Sequence, residues 1–524
     1  MSKQTEKPVK KKTKKHMKTS TKNRAIVITV VVILILSVFA AFAHMSGLPA
    51  KVLTGAKIVQ TIDGKEKTLD RVTIVEMRYF YTKALSQIAS VIGGADGLKE
   101  VYNTETGATY EDLVWENAAN LAQTQYMLYE QAEKDGFKAQ GADQYADAQV
   151  ENLRSNVEYY NLLRNSRMTA DQYLQSNYGT GMTVHIFRDI VRREAVVTEY
   201  QTYLQQTRFA ADDAAVQAKF DEDPTKYQLC QYQAYFVPAK FEAEATEEEK
   251  KKALDEALAA AHELCDGCKN DVEFRTRVAQ VCDDDYRERM SKGEDPTTMK
   301  NITKEAAKNN MSEEFANMCF NPETKEYTSM AFIDSEKTGA YATLFEKTYL
   351  DEEKTSTYRY VKLTDDVLSN ISNSLEDKAP SHAKFHAQAE QLMAQVTSED
   401  SFIDIVKQNS MDSETILSGG YKTGVKESGF NKISPAEGEE PRLPEEDQKL
   451  LDWLQDPSRK KGDMYIIDCV DSVQLYYFVG CEEAWKSNLR NDLAAENYKT
   501  WYDAAVSDTT YSTIVNHGLI DFFS

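Results

Sequence analysis

The stretch from Ala25 to Ala43, AIVITVVVILILSVFAAFA, contains no charged residue. A helix rises ~1.5 Å per residue, so this run matches the ~30 Å hydrocarbon thickness of a bilayer and predicts a transmembrane helix. Ten basic residues precede it, from Lys3 to Arg24, against a single acid, Glu6. Such an excess of Lys and Arg stays cytoplasmic, which makes residues 1–24 an inner tail and places about 480 residues outside. The expected localisation is a cell membrane, crossed once, with the bulk of the chain extracytoplasmic. Two other fates are open to the same residues. Ala41-Phe42-Ala43 resembles a signal-cleavage site, although the apolar run exceeds the about 7 to 15 residues of a signal core; a buried soluble helix is the third.

The chain of 524 residues carries a formal net charge of -22, and the basic tail masks an outward part that is more acidic still. A surface of that sign repels phosphate backbones, so no nucleic-acid partner is expected. One core cannot serve this length, and several domains are expected. Seven cysteines are too few for a disulfide scaffold and odd in number, so at least one is unpaired within the chain. Cys265-Asp266-Gly267-Cys268 has redox-motif spacing but ends a helical run instead of opening one. A redox pair, a local disulfide with Cys282 as one partner, and plain reduced thiols are all open there. His382 and His386, four apart, could hold a metal or form a solvated pair, and no cluster has zinc-like spacing. No metal or cofactor is therefore expected, and no phosphate-cradling glycine loop, G-x-S-x-G elbow or H-E-x-x-H helix occurs.

Lys57 to Asp70 reads as a hairpin turning at Asp63-Gly64. Thr73 and Glu76 form a capping box ahead of Ile74, Met77, Phe80, Tyr81, Ala84, Leu85 and Ile88 at helical spacing. Helices are expected from about Glu111 to Gly136, Ala142 to Asn165, Thr169 to Asn177 and Thr183 to Thr207. This block is rich in tyrosine, among them Tyr145, Tyr159, Tyr160, Tyr173, Tyr178, Tyr200 and Tyr203. These rings either pack the core or line a cradle for extended peptides. From Gln228 the composition turns to α+β. A strand at Gln231 to Pro238, a helix opened by Thr246 and Glu249, a helix from Phe274 to Cys282, the segment MSEEFANMCF and a strand at Thr357 to Leu363 follow. A second pass brings a helix from about Ser381 to Val396, SFIDIVKQNSMDS, Gly419-Gly420-Tyr421, a helix EEDQKLLDWLQD, Gly462-Asp463 and a hairpin from Met464 to Gly480. The strand Thr357 to Leu363 either closes the first module or opens the second.

The order of hairpin, TIVEMRYFY, YLQSNYG and FAADDAAVQAKFDEDPTKYQLCQYQAYFV, followed by F-x-x-x-V-x-x-x-S-x-D, a glycine pair and a late Gly-Asp, resembles the SurA/PrsA-type extracytoplasmic foldases. That resemblance implies an α+β chain: a single N-terminal transmembrane helix (25–43), an all-helical SurA-N-like chaperone module (57–225) and one or two parvulin-like domains. The first of these, degenerate, would cover 228–365 and the second 366–482. A C-terminal helical segment (483–524) would pack back on the chaperone module. The implied partners are unfolded or nascent secreted polypeptides and the membrane, with a homodimer also open.

By the same resemblance Met311, Phe315 and Phe320 fall where the family's apolar proline pocket would lie, while Met311 and Phe315 read equally well as ordinary core residues. The family's paired histidines would fall at Ala234 and Arg359 in the first module and at Tyr360 and about Gln474 in the second, where Ser410 and Asp412 match a helix-end pair. No His occurs between His262 and His382 or between His386 and His517, so no shift of register restores them. The expected function is chaperone binding with weak or absent prolyl isomerisation and no catalytic residue assigned. An active prolyl isomerase and a non-catalytic envelope scaffold are the alternatives.

Overall fold

The computed structural model describes residues 47–92, 95–242, 244–370, 372–433, 441–507 and 510–522. The chain is α+β and divides into two units. One takes the chain up to Tyr200 and again from Tyr502; the other spans Gln201–Trp501.

The expected membrane-spanning helix requires correction. Among the described residues no helix is long and apolar enough to cross a membrane, and the segment 25–43 lies outside them. The long helices that are present carry charge along their length, as Tyr110–Lys134 does with Glu111, Asp112, Glu116, Glu130 and Lys134. A bilayer interior would strip those groups of water.

The first unit is also not all-helical. Strands β1 (Thr54–Ile62) and β2 (Lys65–Thr73) form a hairpin. Its turn has both central residues at positive φ, Asp63 at 51° and Gly64 at 73°, which matches the right-handed twist of the strands. The C-terminal strand Tyr511–Val515 pairs antiparallel with the other edge of β1, completing a three-stranded sheet. The physical reason is β1 itself: Ala56, Ile58 and Val59 are buried, and a strand buried at that level needs main-chain partners on both edges.

Against the sheet lies the helix Ile74–Ile92. The Thr73 hydroxyl accepts from the Glu76 N–H at 3.2 Å, and the Glu76 carboxylate accepts from the Thr73 N–H at 2.8 Å. Ile74, Met77, Phe80 and Ala84 are fully or almost fully buried, each large one stabilising by roughly 1.5–3 kcal/mol relative to exposure. A small hairpin of β3 (Val101–Asn103) and β4 (Ala108–Thr109) leads into Tyr110–Lys134. Helices Ala142–Arg164, Ala170–Tyr178 and Val184–Gln206 follow, the last contributing its residues to Tyr200.

The second unit contains one topology twice. The first copy has strands β5 (Gln228–Pro238), β6 (Thr298–Thr303), β7 (Ser329–Ile333) and β8 (Gly339–Leu350), in the spatial order β6-β5-β8-β7. The second has β9 (Lys354–Leu363), β10 (Tyr421–Val425), β11 (Met464–Cys469) and β12 (Ser472–Glu483), in the order β10-β9-β12-β11. Both sheets are antiparallel throughout. In each, helices lie between the first and second strands and between the second and third.

The strand that includes Thr357 to Leu363 opens the second sheet. The first is closed by β8, so Arg359 does not stand on the first module's closing strand. Asp283 caps the start of the helix Asp284–Ser291, with Asp284 and Asp285 in its first turn. The Asp283 side chain accepts from the Tyr286 N–H at 2.8 Å, which places acid at a positive helix end. The segment 483–524 is divided between the two units. Trp485 and Leu489 of the helix Ala484–Val506 are buried with Ala211 and Val216 inside the second unit, and only the chain from Tyr502 joins the first.

Candidate functional site

In the second module the positions expected from the resemblance meet on one face of the sheet. Tyr360 on β9 lies directly opposite Tyr476 on β12, and Gln474 lies opposite Lys362. The Tyr360 hydroxyl donates to Asp412 Oδ2 at 2.9 Å, and the Tyr476 hydroxyl donates to Gln474 Oε1 at 2.7 Å. The rings of Tyr358, Tyr360 and Tyr476 pack on one another, with Trp453 against Tyr476. Burial, with the Asp412 carboxylate beside it, pushes the Tyr360 phenol well above its ordinary range, and burial does the same to Tyr476. Both phenols are therefore neutral donors with their bonds already made. Such a face is a packed network of polar groups that are hydrogen-bonded to one another. Ser410 is fully buried and hydrogen-bonded to Thr415 at 2.7 Å, which fixes the end of the helix Glu399–Asn409.

Arg359 points to the opposite side of β9 from Tyr360 and is 4% exposed. Its guanidinium donates to Glu399 at 2.8 Å, to the carbonyls of Ser418 and Gly419 at 3.2 and 3.0 Å, and lies over the Tyr421 ring. Lys461 approaches the same carboxylate at 2.7 Å. Burial pushes the Glu399 carboxyl up, but the Lys461 and Arg359 cations outweigh it and hold the group below its ordinary range. This ion cluster ties helix, glycine turn and strand together.

In the first module the expected pocket residues are core residues. Phe315 has no exposed surface, its ring packed on Tyr232 and Phe332 at 4.8 and 5.6 Å between centroids. Phe320 is buried in the same cluster, and Met311 packs against it half-buried. The helix Glu313–Cys319 starts at Ser312, whose hydroxyl caps it by accepting from the Phe315 N–H at 3.0 Å, and it buries Phe315, Ala316 and Cys319 in the core.

Beside this core the same module has a cavity of about 710 Å3. It lies at the far end of β5, where Ala234 is joined by Tyr235, Phe236, Tyr286, Met299 and Tyr341. Tyr235 packs edge-on against Tyr286, and Phe236 packs against Tyr341 across the strands. Lys240, Glu263 and Asp283 form a charged rim. Volume and lining fall within the range of sites that hold an apolar ligand with a few polar anchors. No family model matches the chain, and no curated protein matches its sequence.

Of the expected positions only Ala234 touches this cavity. Its aromatic lining went unassigned in the sequence because QYQAYFVP reads as a plain alternating strand. The available signal was Tyr235-Phe236 ahead of Pro238, which puts large rings on both faces at the point where a strand must end.

The second candidate cavity, about 560 Å3, lies among the helices Ala142–Arg164, Ala170–Tyr178 and Val184–Gln206. It is lined by Asp147, Glu151, Arg154 and Arg188, which pair with one another or with Asp143. The same unit exposes apolar side chains at the end of Ala142–Arg164, with Tyr159 64%, Leu162 81% and Leu163 66% exposed. Tyr200, by contrast, has no exposed surface and is part of the packing.

All seven cysteines are free thiols. Burial pushes Cys265 up to about 12 and raises Cys268 as well. Neither is the lowered thiol that redox chemistry at a C-x-x-C requires. Among the described residues no group of three His, Cys, Asp or Glu is placed to hold a metal. His386 is held by Asp468 at 2.9 Å.

Proposed function

We propose that this chain is a polypeptide-binding foldase of the SurA/PrsA type: it holds unfolded or nascent chains, and its two repeated modules carry little or no prolyl isomerase activity. The observation that carries the reading is the cavity at the end of β5, lined by four aromatic rings and a methionine. Aromatic and thioether side chains tolerate clients of varied sequence, because they offer large polarizable surface with few demands on partner geometry. The exposed Tyr159, Leu162 and Leu163 offer a second apolar surface for the same use. Against catalysis stands the chemistry of the second module, where Tyr360 and Tyr476 occupy the facing strand positions as neutral, hydrogen-bonded phenols. Rotation about an X-Pro bond faces a barrier of ~18–20 kcal/mol, and lowering it takes groups that bind the twisted amide more tightly than the planar one; the two phenols already donate to Asp412 and Gln474.

The test has two arms on the full-length protein. Chemically denatured citrate synthase is diluted with and without the chain, and light scattering is followed; suppression near equimolar ratio is expected. A protease-coupled assay on a prolyl tetrapeptide is expected to match buffer alone. No suppression at any ratio removes the chaperone reading, whereas clear acceleration of the prolyl step would establish the isomerase instead.

A further inference from the structure

Strand β5 has a neighbour along the whole of one edge and along only part of the other. β8 pairs with every residue from Gln228 to Pro238. β6 pairs no further than Gln233, with one more bond from the Ala234 N–H to the Thr297 carbonyl at 2.8 Å. In an antiparallel sheet successive residues address alternate edges. The Ala239 N–H reaches Thr338, which continues β8's side. In the same register Val237 and Tyr235 address β8, while Ala234, Phe236 and Pro238 address the outer edge.

Thr297 returns no bond to Ala234, because its own N–H donates to Asp295 Oδ1 at 3.1 Å. The outer edge beyond β6 therefore offers the carbonyls of Ala234, Phe236 and Pro238 and the N–H of Phe236, none with a partner among the described residues. The cavity surrounds this edge. Tyr235 and Tyr286 wall it on one face of the sheet, Met299 and Tyr341 on the other.

We infer that the cavity takes an extended segment of unfolded polypeptide as an added strand along the outer edge of β5. The inference rests on the foldase reading above and names how the client is held. A main chain is the ligand that matches a row of acceptors and a donor at strand spacing. Its side chains, pointing alternately to the two faces, would meet the aromatic walls in turn. Carbonyls on three alternate residues of β5 ask for N–H groups on alternate residues of the client. Proline, which has none, is excluded from that frame and tolerated in the other. Pro238 itself offers no N–H, so the added strand ends there.

The test leaves the protein unchanged and alters the client. A fluorescein-labelled heptapeptide of alternating valine and threonine is titrated with the full-length chain. Two derivatives carry N-methyl groups on alternate residues, one in each frame. Methylation in one frame is expected to weaken binding about tenfold or more and in the other about twofold at most, since only one removes hydrogen bonds to the edge. Hydrogen exchange at the Phe236 amide is expected to slow about tenfold or more with the parent peptide bound.

Equal binding by both derivatives with an unchanged Phe236 amide overturns strand addition, while parent binding keeps the foldase reading. Suppression of aggregation without peptide binding likewise overturns strand addition alone. Loss of both peptide binding and suppression removes the two together. A Phe236 amide already protected without peptide, in a chain that sediments as a dimer, assigns the edge to a second copy and also overturns the inference.

Discussion

Gly420 sits at φ 73°, and a β-carbon there would stand 2.3 Å from the Tyr360 carbonyl oxygen. Gly420→Ala combines a strained backbone with a main-chain clash and is expected to cost about 2 kcal/mol or more, read as a lower urea midpoint for the second unit. An unchanged midpoint would mean that the glycine turn does not lie against β9. Glu399 makes a different prediction. Its carboxyl is held below its ordinary range, so its contribution is complete above the unfolded value of about 4.3 and disappears as pH falls through the lower folded value. Melting temperatures of the wild type and Glu399→Gln should differ near neutral pH and converge in acid. A gap constant with pH would show that the ion cluster does not act through charge. Phe315 and Tyr341 separate core from cavity. Phe315→Ala is expected to cost about 3–5 kcal/mol of stability, whereas Tyr341→Ala should leave the fold largely intact and weaken peptide binding.

Local elements were readable where side chains and backbone carry the signal together. Asp63-Gly64 specified its hairpin turn, and Thr73 with Glu76 or Thr246 with Glu249 specified helix starts, because each pair meets its own backbone within one turn. The helix expected from Ser381 begins earlier, at Leu375: Ser374 and Asp377 cap it, and Pro380 is accommodated inside it. Assignment of β9 to a sheet was not readable, since a strand's partners depend on residues more than a hundred positions away, such as Tyr476 for Tyr360. Of the candidate site only Ala234 was singled out, and that as the place of an absent histidine and not as part of a cavity. Composition marks Phe315 and Phe320 as apolar but cannot distinguish a residue facing a cavity from one facing the next helix. That distinction is set by how Glu313–Cys319 packs on the sheet, which buries Phe315 against Tyr232 and Phe332. Pairing of the C-terminal strand with β1 was likewise hidden, as nothing local in YSTIV names its neighbour.

The second unit places two sheets of identical strand order in succession, each with its largest helices at equivalent points of the chain. Their contents have diverged: the second copy fills its face with tyrosines and Trp453, while the first keeps an aromatic cavity beside an unfinished sheet edge. Across the molecule six of the seven thiols are buried, and Cys481 is exposed. Brief iodoacetamide treatment of the native chain should therefore alkylate Cys481 and leave Cys230, Cys265, Cys268, Cys282, Cys319 and Cys469 for the unfolded state. Rapid labelling of Cys265 or Cys268 would contradict the packing of the first module. The most direct measurement is a fluorescence-anisotropy titration of a permanently unfolded polypeptide, reduced and carboxymethylated α-lactalbumin, with the full-length chain and with Tyr341→Ala. Saturable binding that the substitution weakens about tenfold would bear out a client site built from half-buried aromatic rings lining the cavity. Absence of saturable binding, or binding that Tyr341→Ala leaves untouched, would contradict it.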